Sequence, residues 1–245
     1  MEPERSDAPA FYALRPGGWR DYVTLLHPPY TLWHLSYVVI GAGLAPHFKG
    51  DVLGFALLAF FLGMGVGAHA LDELNGRPLK TRIGDTTLMA LAVTSLAGAA
   101  VIGIAIALRT NLWLLAFVAA GTFIAVAYNL ELFGGRVHGD PWFSLAWGAF
   151  PVLATYFAAT ETIRVEAVLG ATFAALLSHA QRRLSTPVRL IRRRAREVTG
   201  TIELLDGSTI PITPETLTAE SERALRALSI ATLCIALALV LLRVT

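Results

Sequence analysis

Cysteine occurs once in this chain of 245 residues, at Cys234 inside an apolar run. A single cysteine excludes an internal disulfide and a cysteine-based zinc site, and its apolar setting lends no support to a thiol nucleophile. Charge is scarce, at 16% of residues, and lysine appears only as Lys49 and Lys80, so the positive charge is almost all arginine. No lysine lies in the last apolar run, Ala224–Leu242, which excludes a retinal Schiff base there. The DGxxAR signature of membrane CDP-alcohol transferases is also missing. The start, MEPERSDAPAFYALRPGGWRDYV, has no apolar core followed by small residues, so a cleaved signal peptide is not expected. No repeat with a period of roughly 20 to 50 residues is present. Between Ala167 and Arg196 there is no Asp or Glu at all.

Apolar residues fill the space those absences leave. They make up 55% of the chain, and the mean hydropathy is +0.58, values of the membrane class. Seven apolar segments stand out: Tyr30–Ala45, Val52–Leu71, Leu88–Leu108, Leu112–Leu130, Trp142–Ala159, Val165–Ala180 and Ala224–Leu242. About 20 apolar residues cross a bilayer as a helix, so the first and sixth need their flanks to complete a crossing. With the N-terminus in the cytoplasm, sixteen basic residues fall inside, Arg5 among them, and four outside, a strong positive-inside bias. The C-terminus then faces outward. The preference for arginine over lysine hints at a high-GC prokaryote, which makes the plasma membrane the expected location. The net charge of +2 gives no reason to expect a nucleic-acid partner.

These patterns predict an all-α fold, a polytopic transmembrane helical bundle of about seven spans. Residues 1–24 form a cytoplasmic N-terminal segment, 25–180 a six-span bundle, 181–222 a basic cytoplasmic loop, and 223–245 the last transmembrane helix. Within the loop, Asp206-Gly207 between β-prone runs predicts a hairpin with a two-residue turn. Thr213-Pro214-Glu215 has the chemistry of a helix start. The basic stretch QRRLSTPVRLIRRRAREV spaces Leu184, Val188 and Ile191 as a helix does, despite Pro187, and suits anionic membrane lipid.

Polar residues concentrate in the inner loops. The densest island is Ala68–Asp85, where His69, Asp72 and Glu73 at i, i+3 and i+4 share one helix face. That set reads either as ligands for a divalent ion or as a helix end meeting water. Asn75-Gly76-Arg77-Pro78 breaks the helix, and Arg77, Lys80 and Arg82 follow. They read as phosphate-binding groups or as positive-inside anchors. The second inner loop carries Tyr128, Asn129, Arg136, His138 and Asp140. Trp142 and Trp147 follow, as interfacial anchors or as walls for an apolar chain. The sixth segment ends in His179, Gln181, Arg182, Arg183 and Arg189, which favours binding of an anion directly by arginine.

With these motifs in place, the chain resembles the UbiA superfamily of intramembrane prenyltransferases from about Leu25 to Ala180. The likeness lies in LLHPPYTLWHLSYVVIGAGLAP, the polar loop after the second segment, the Tyr128 stretch after the fourth, and WGAFPVLATYF in the fifth. Asp72 matches an acidic position of the family's first motif, and Tyr128 matches a cavity position. Ala68-His69 stands where the family has Asn-Asp, Gly76 replaces a further aspartate, and the aspartates of the second motif are absent.

The resemblance implies an enzyme that takes an isoprenoid diphosphate and a lipophilic acceptor at the cytoplasmic side and transfers or rearranges the prenyl group. It implies Mg2+, for which Asp72 and Glu73 are the candidate ligands. His69, Asp72 and His138 are the candidate catalytic groups. Arg77, Lys80, Tyr128, Asn129, Arg136, Asp140, His179, Arg182 and Arg183 are the candidate substrate-binding groups. The alternative is a UbiA-like protein that binds a polyprenyl lipid or a membrane partner without transfer chemistry. A small-molecule transporter has less in its favour, because the middles of the third to seventh segments hold no ionisable residue.

Overall fold

Helix breakers punctuate the fold. In the computed structural model, which describes residues 8–244, eight helices follow one another. Helix α1 covers Trp19–Leu25 and α2 covers Pro28–Leu44, whose two prolines sit in the first turn, where their missing N–H groups would be unpaired anyway. Helix α3 covers Gly50–Leu74 and ends at Asn75-Gly76, with Gly76 at φ +100°. Then come α4 (Asp85–Arg109), α5 (Leu114–Asn129), α6 (Asp140–Thr160), α7 (Val165–Arg194) and α8 (Pro214–Val244). Four of these, α3, α4, α6 and α8, are long and apolar enough to cross a membrane, and α5 is a shorter apolar helix. Each of the seven apolar segments read from the sequence lies in a helix of its own. Arg5, counted above among the inside residues, lies outside the described residues.

Helix α2 is the axis of the bundle. It packs along α8 and α6 most extensively and also touches α3 and α7. Trp33, Tyr37 and Ile40 from α2 meet Val152 from α6, Ala171 and Ala174 from α7, and Leu225 and Ala236 from α8 in the main core. Close approach needs small residues: a methyl group at Gly41 would stand 2.5 Å from the Val152 carbonyl oxygen, and one at Gly148 2.5 Å from that of Ala174. The outward faces are apolar, with Val93, Val101 and Leu108 on α4, Leu169 and Leu176 on α7, and Ile230, Leu241 and Leu242 on α8 all exposed.

Two stretches widen into π-helical turns, Phe61–Ala68 within α3 and Ser144–Ala149 within α6. An i→i+5 turn inserts an extra residue and rotates everything beyond it, and such turns gather at functional sites. Both border the cavities described below.

Two expectations are revised. Helix α7 runs on to Arg194, so the boundary at 180/181 falls inside a helix. Pro187 is tolerated because it lies on the exposed side, where the carbonyl it leaves without an N–H partner can meet water. The hairpin pairs β1 (Thr201–Glu203) with β2 (Thr209–Pro211), antiparallel, Ile202 opposite Ile210. Its turn is longer than two residues. Gly207 N–H donates to Leu204 O at 2.9 Å, Leu204 N–H donates to Ser208 O at 2.8 Å, and Gly207 takes φ +81°. This is a type I turn closed by a left-handed glycine, which leaves three residues in the loop. At the start of α8 the capping seen in the sequence is formed: Thr213 Oγ1 accepts the N–H of Thr216.

Candidate functional site

One end of the bundle encloses a polar cavity of about 120 Å3. Three helices supply most of its walls: His69 and Asp72 from α3, Tyr128 and Asn129 from α5, and Gln181, Arg182, Ser185, Val188, Arg189 and Arg193 from α7. His27 and Tyr30 border it from the start of α2, His34 from one turn further on, and His138 from the loop before α6. The roof is an irregular strap, Pro9 to Tyr12, which sequence reading passed over. Arg193 Nε donates to Pro9 O at 3.2 Å, and the Arg226 guanidinium lies 4.8 Å from the centre of the Phe11 ring.

Hydrogen bonds set the proton positions on the histidines. His69 Nδ1 lies 3.0 Å from Gly65 O, His34 Nδ1 2.9 Å from Trp147 O, and His138 Nδ1 2.9 Å from Tyr128 O. A carbonyl oxygen only accepts, so each Nδ1 carries the proton and each Nε2 a lone pair. His27 is the opposite tautomer. Burial pushes the Tyr12 hydroxyl well above its usual range, so it keeps its proton and donates to His27 Nδ1 at 2.8 Å. The His27 Nε2–H is buried without a partner among the described residues, as is Oε1 of Gln181. Burial, and then the neighbouring His69, hold the His27 imidazole well below its ordinary pKa and so neutral. The His27 and His69 rings stack at 4.2 Å.

The cations of the cavity differ in their partners. Arg182 is committed: its Nε donates to Asp140 Oδ1 at 2.7 Å and its Nη1 to the Tyr128 hydroxyl at 2.5 Å. Among the described residues Arg189 donates only to Thr186 Oγ1, at 3.2 Å. Neither Arg189 nor Arg193 has a carboxylate within 4.0 Å among the described residues. Asp72 likewise makes no ion pair there, and it lines the same cavity as Arg193, His138 and Arg189.

Of the residues singled out in the sequence, His69, Asp72, Tyr128, Asn129, His138 and Arg182 come together, with Asp140 behind Arg182. Trp147, Gln181 and Arg189, also singled out, line the cavity too, whereas Glu73, Arg77, Lys80, Arg136, His179 and Arg183 do not. Glu73, fully buried, turns from His69 and Asp72 to close the following loop: its carboxylate accepts Leu79 N–H at 2.9 Å, Thr81 N–H at 2.8 Å and the Thr81 hydroxyl at 2.9 Å. Arg77 is tied to Asp85 and to the carbonyls of Thr81 and Ile83. Lys80, Arg136 and His179 are exposed, and Arg183 is 71% exposed. Tyr12, His27, Tyr30, His34 and Arg193 were not foreseen. Arg182, Arg189 and Arg193, at i, i+7 and i+11, fall within about 40° of one helix face. That spacing is readable in the sequence once α7 is carried past Pro187.

Magnesium, implied by the resemblance, is poorly served here. Mg2+ takes hard oxygen ligands in an octahedron. Among the described residues Asp72 is the one carboxylate on the cavity wall, with Glu73 occupied by three donors. Among the described residues no three His, Cys, Asp or Glu side chains are grouped to hold a metal ion.

A second cavity, of about 140 Å3, shares Trp147 with the first. Its lining is apolar: Phe60, Met64, Leu96, Ile106, Phe117 and Phe150 with many alanines and glycines. Its one buried polar atom without a partner is Thr155 Oγ1. Trp147 borders both cavities and stacks among Phe143 and Tyr128, at 5.9 Å and 4.6 Å between ring centres. An apolar cavity of this size admits a benzene-sized group before any side chain moves.

No family model, no curated protein and no solved structure matches the chain.

Proposed function

We propose that this chain is a membrane-embedded, UbiA-like prenyltransferase that takes an isoprenoid diphosphate at the cytoplasmic side. One observation carries the reading: an arginine- and histidine-lined cavity meets an apolar cavity at Trp147. That is the shape of a site for an amphiphile with an anionic head and an apolar tail. In this reading α2 to α8 cross the bilayer seven times, with the polar cavity at the cytoplasmic boundary and the apolar one within the bilayer.

In this reading the diphosphate lies against the α7 arginines and the prenyl chain passes Trp147. The allylic C–O bond breaks, its electron pair leaves with pyrophosphate, and positive charge spreads over the allylic carbons. The arginines stabilise the departing oxyanion, and the apolar wall keeps water from the cation. A lipophilic acceptor bonds to the allylic carbon and yields its proton to the Nε2 lone pair of His69 or His138. Asp72 faces the same space and orients the acceptor.

The test is release of pyrophosphate from geranylgeranyl diphosphate by the purified protein in liposomes, beside Asp72→Ala and His69→Gln. The expected result is turnover that falls about a hundredfold or more in the variants. Absence of both binding and turnover overturns the proposal. The second reading, a polyprenyl-lipid binder without transfer chemistry, draws on the single facing carboxylate. Tight binding with no pyrophosphate released for any acceptor supports it instead.

A further inference from the structure

The two cations on α7 without a carboxylate are more than the resemblance requires. Apart from Asp72, the charged groups described on the cavity wall are compensated or neutral: Arg182 is paired with Asp140, and His27 is neutral. Arg192, between them in sequence, turns away to pair with Glu222 on α8 at 2.5 Å. Arg189 and Arg193 therefore leave positive charge in a cavity with one opposing carboxylate among the described residues, Asp72. An arginine fork offers five N–H donors, and each of these uses one on a neutral oxygen.

We propose that Arg189 and Arg193 hold a phosphoryl oxyanion directly, without a divalent cation. The two side chains leave the helix one turn apart, about 6 Å along its axis, a spacing that suits adjacent phosphoryl groups. The unpartnered His27 Nε2–H supplies a third donor, and a half-turn of the Gln181 amide supplies a fourth. In this arrangement the arginines carry the charge that a carboxylate-bound metal would otherwise neutralise. Asp72 then opposes the anion rather than recruiting its counter-ion. The inference rests on the preceding reading for the identity of the tail, but not for the head.

The experiment is titration of purified protein in detergent with inorganic pyrophosphate, geranylgeranyl diphosphate and short-chain phosphatidic acid, each with EDTA and with Mg2+. Binding of at least one probe in EDTA is expected, tightened less than about threefold by Mg2+. Arg189→Gln and Arg193→Gln should each weaken it about tenfold or more, and added salt should weaken it further. Asp72→Asn should leave affinity unchanged or tighten it, whereas a metal-bridged site requires it to weaken. Arg189→Lys, which keeps the charge and loses the fork, should fall between wild type and Arg189→Gln. Monodisperse elution and an unchanged thermal midpoint guard against misfolded variants.

Binding only with Mg2+, lost in Asp72→Asn, overturns this proposal and leaves the prenyltransferase reading standing. Metal-free binding of phosphatidic acid alone supports the arginine site while moving the source of the head to a lipid and overturning the prenyl reading. No binding by any probe in either condition overturns both.

Discussion

His27 shows how much one residue can be asked to do here. It precedes two prolines, which disfavours helical backbone, yet it adopts φ +46° and ψ +57° in the left-handed region. Such a conformation costs on the order of 1 kcal/mol in a residue that is not glycine, and it aims the ring into the cavity against His69. Burial keeps the ring neutral, which has a consequence for stability. The folded-state pKa is depressed, so the stability tied to this group is present in full above the ordinary histidine value of about 6.5 and drains away as pH falls below it. By pH 5.5 the loss is about 1 kcal/mol. Thermal unfolding in detergent at pH 7.5 and 5.5 should show the midpoint dropping in acid, and His27→Gln should lessen the drop. Equal drops in both proteins would remove His27 from the account.

Other single residues divide along similar lines. Glu73 lies four positions after His69 and shares its helix face on paper. Periodicity alone cannot tell that the chain doubles back after Gly76 and brings the N–H groups of Leu79 and Thr81 to its carboxylate. An acid in a polar island was visible in the sequence; whether it served a ligand or the backbone was not.

At the scale of elements, the contact between the widened turn of α6 and α7 positions the site. A methyl at Gly148 would meet the Ala174 carbonyl oxygen at 2.5 Å and the Ala175 Cα at 2.8 Å, both backbone atoms that cannot swing aside. Gly148→Ala should therefore cost about 1–3 kcal/mol and shift Trp147, the neighbouring residue and the wall common to both cavities. Gly54, on the exposed side of α3 with nothing within 4 Å of such a methyl, is the control: Gly54→Ala should be neutral or stabilising by up to about 1 kcal/mol. Denaturation midpoints of the two variants check the pair, and equal effects would contradict the packing described. The helices themselves were legible, because runs of apolar residues and the breakers Asn75-Gly76, Pro28-Pro29 and Thr213-Pro214 are local signals. The π turns were not, since FLGMGVGA and SLAWGA carry no pattern that separates them from ordinary helix.

For the whole molecule, the separation of charge from apolar surface is the governing feature. A ring of exposed Val, Leu, Ile and Phe surrounds the bundle, while arginines and histidines gather at one end under the strap. The proposed seven-span arrangement has the hairpin and the short turn between α6 and α7 on opposite sides of the bilayer. In a Cys234→Ser background, Ser208→Cys should be shielded from a membrane-impermeant maleimide in intact cells, and Thr162→Cys should react. Labelling of both positions from one side would overturn the seven-span topology.

The helical class, the number of apolar segments and the arginine-rich end of α7 follow from the sequence by itself, because hydropathy and local helix signals act over neighbouring residues. The meeting of His27, His69, Asp72, His138, Arg189 and Arg193 belongs to the tertiary structure. These residues come from separate elements, and their shared cavity depends on how α3, α5 and α7 pack around α2 and on where the strap closes over them. Burial then decides which charges are compensated and which are left for a ligand.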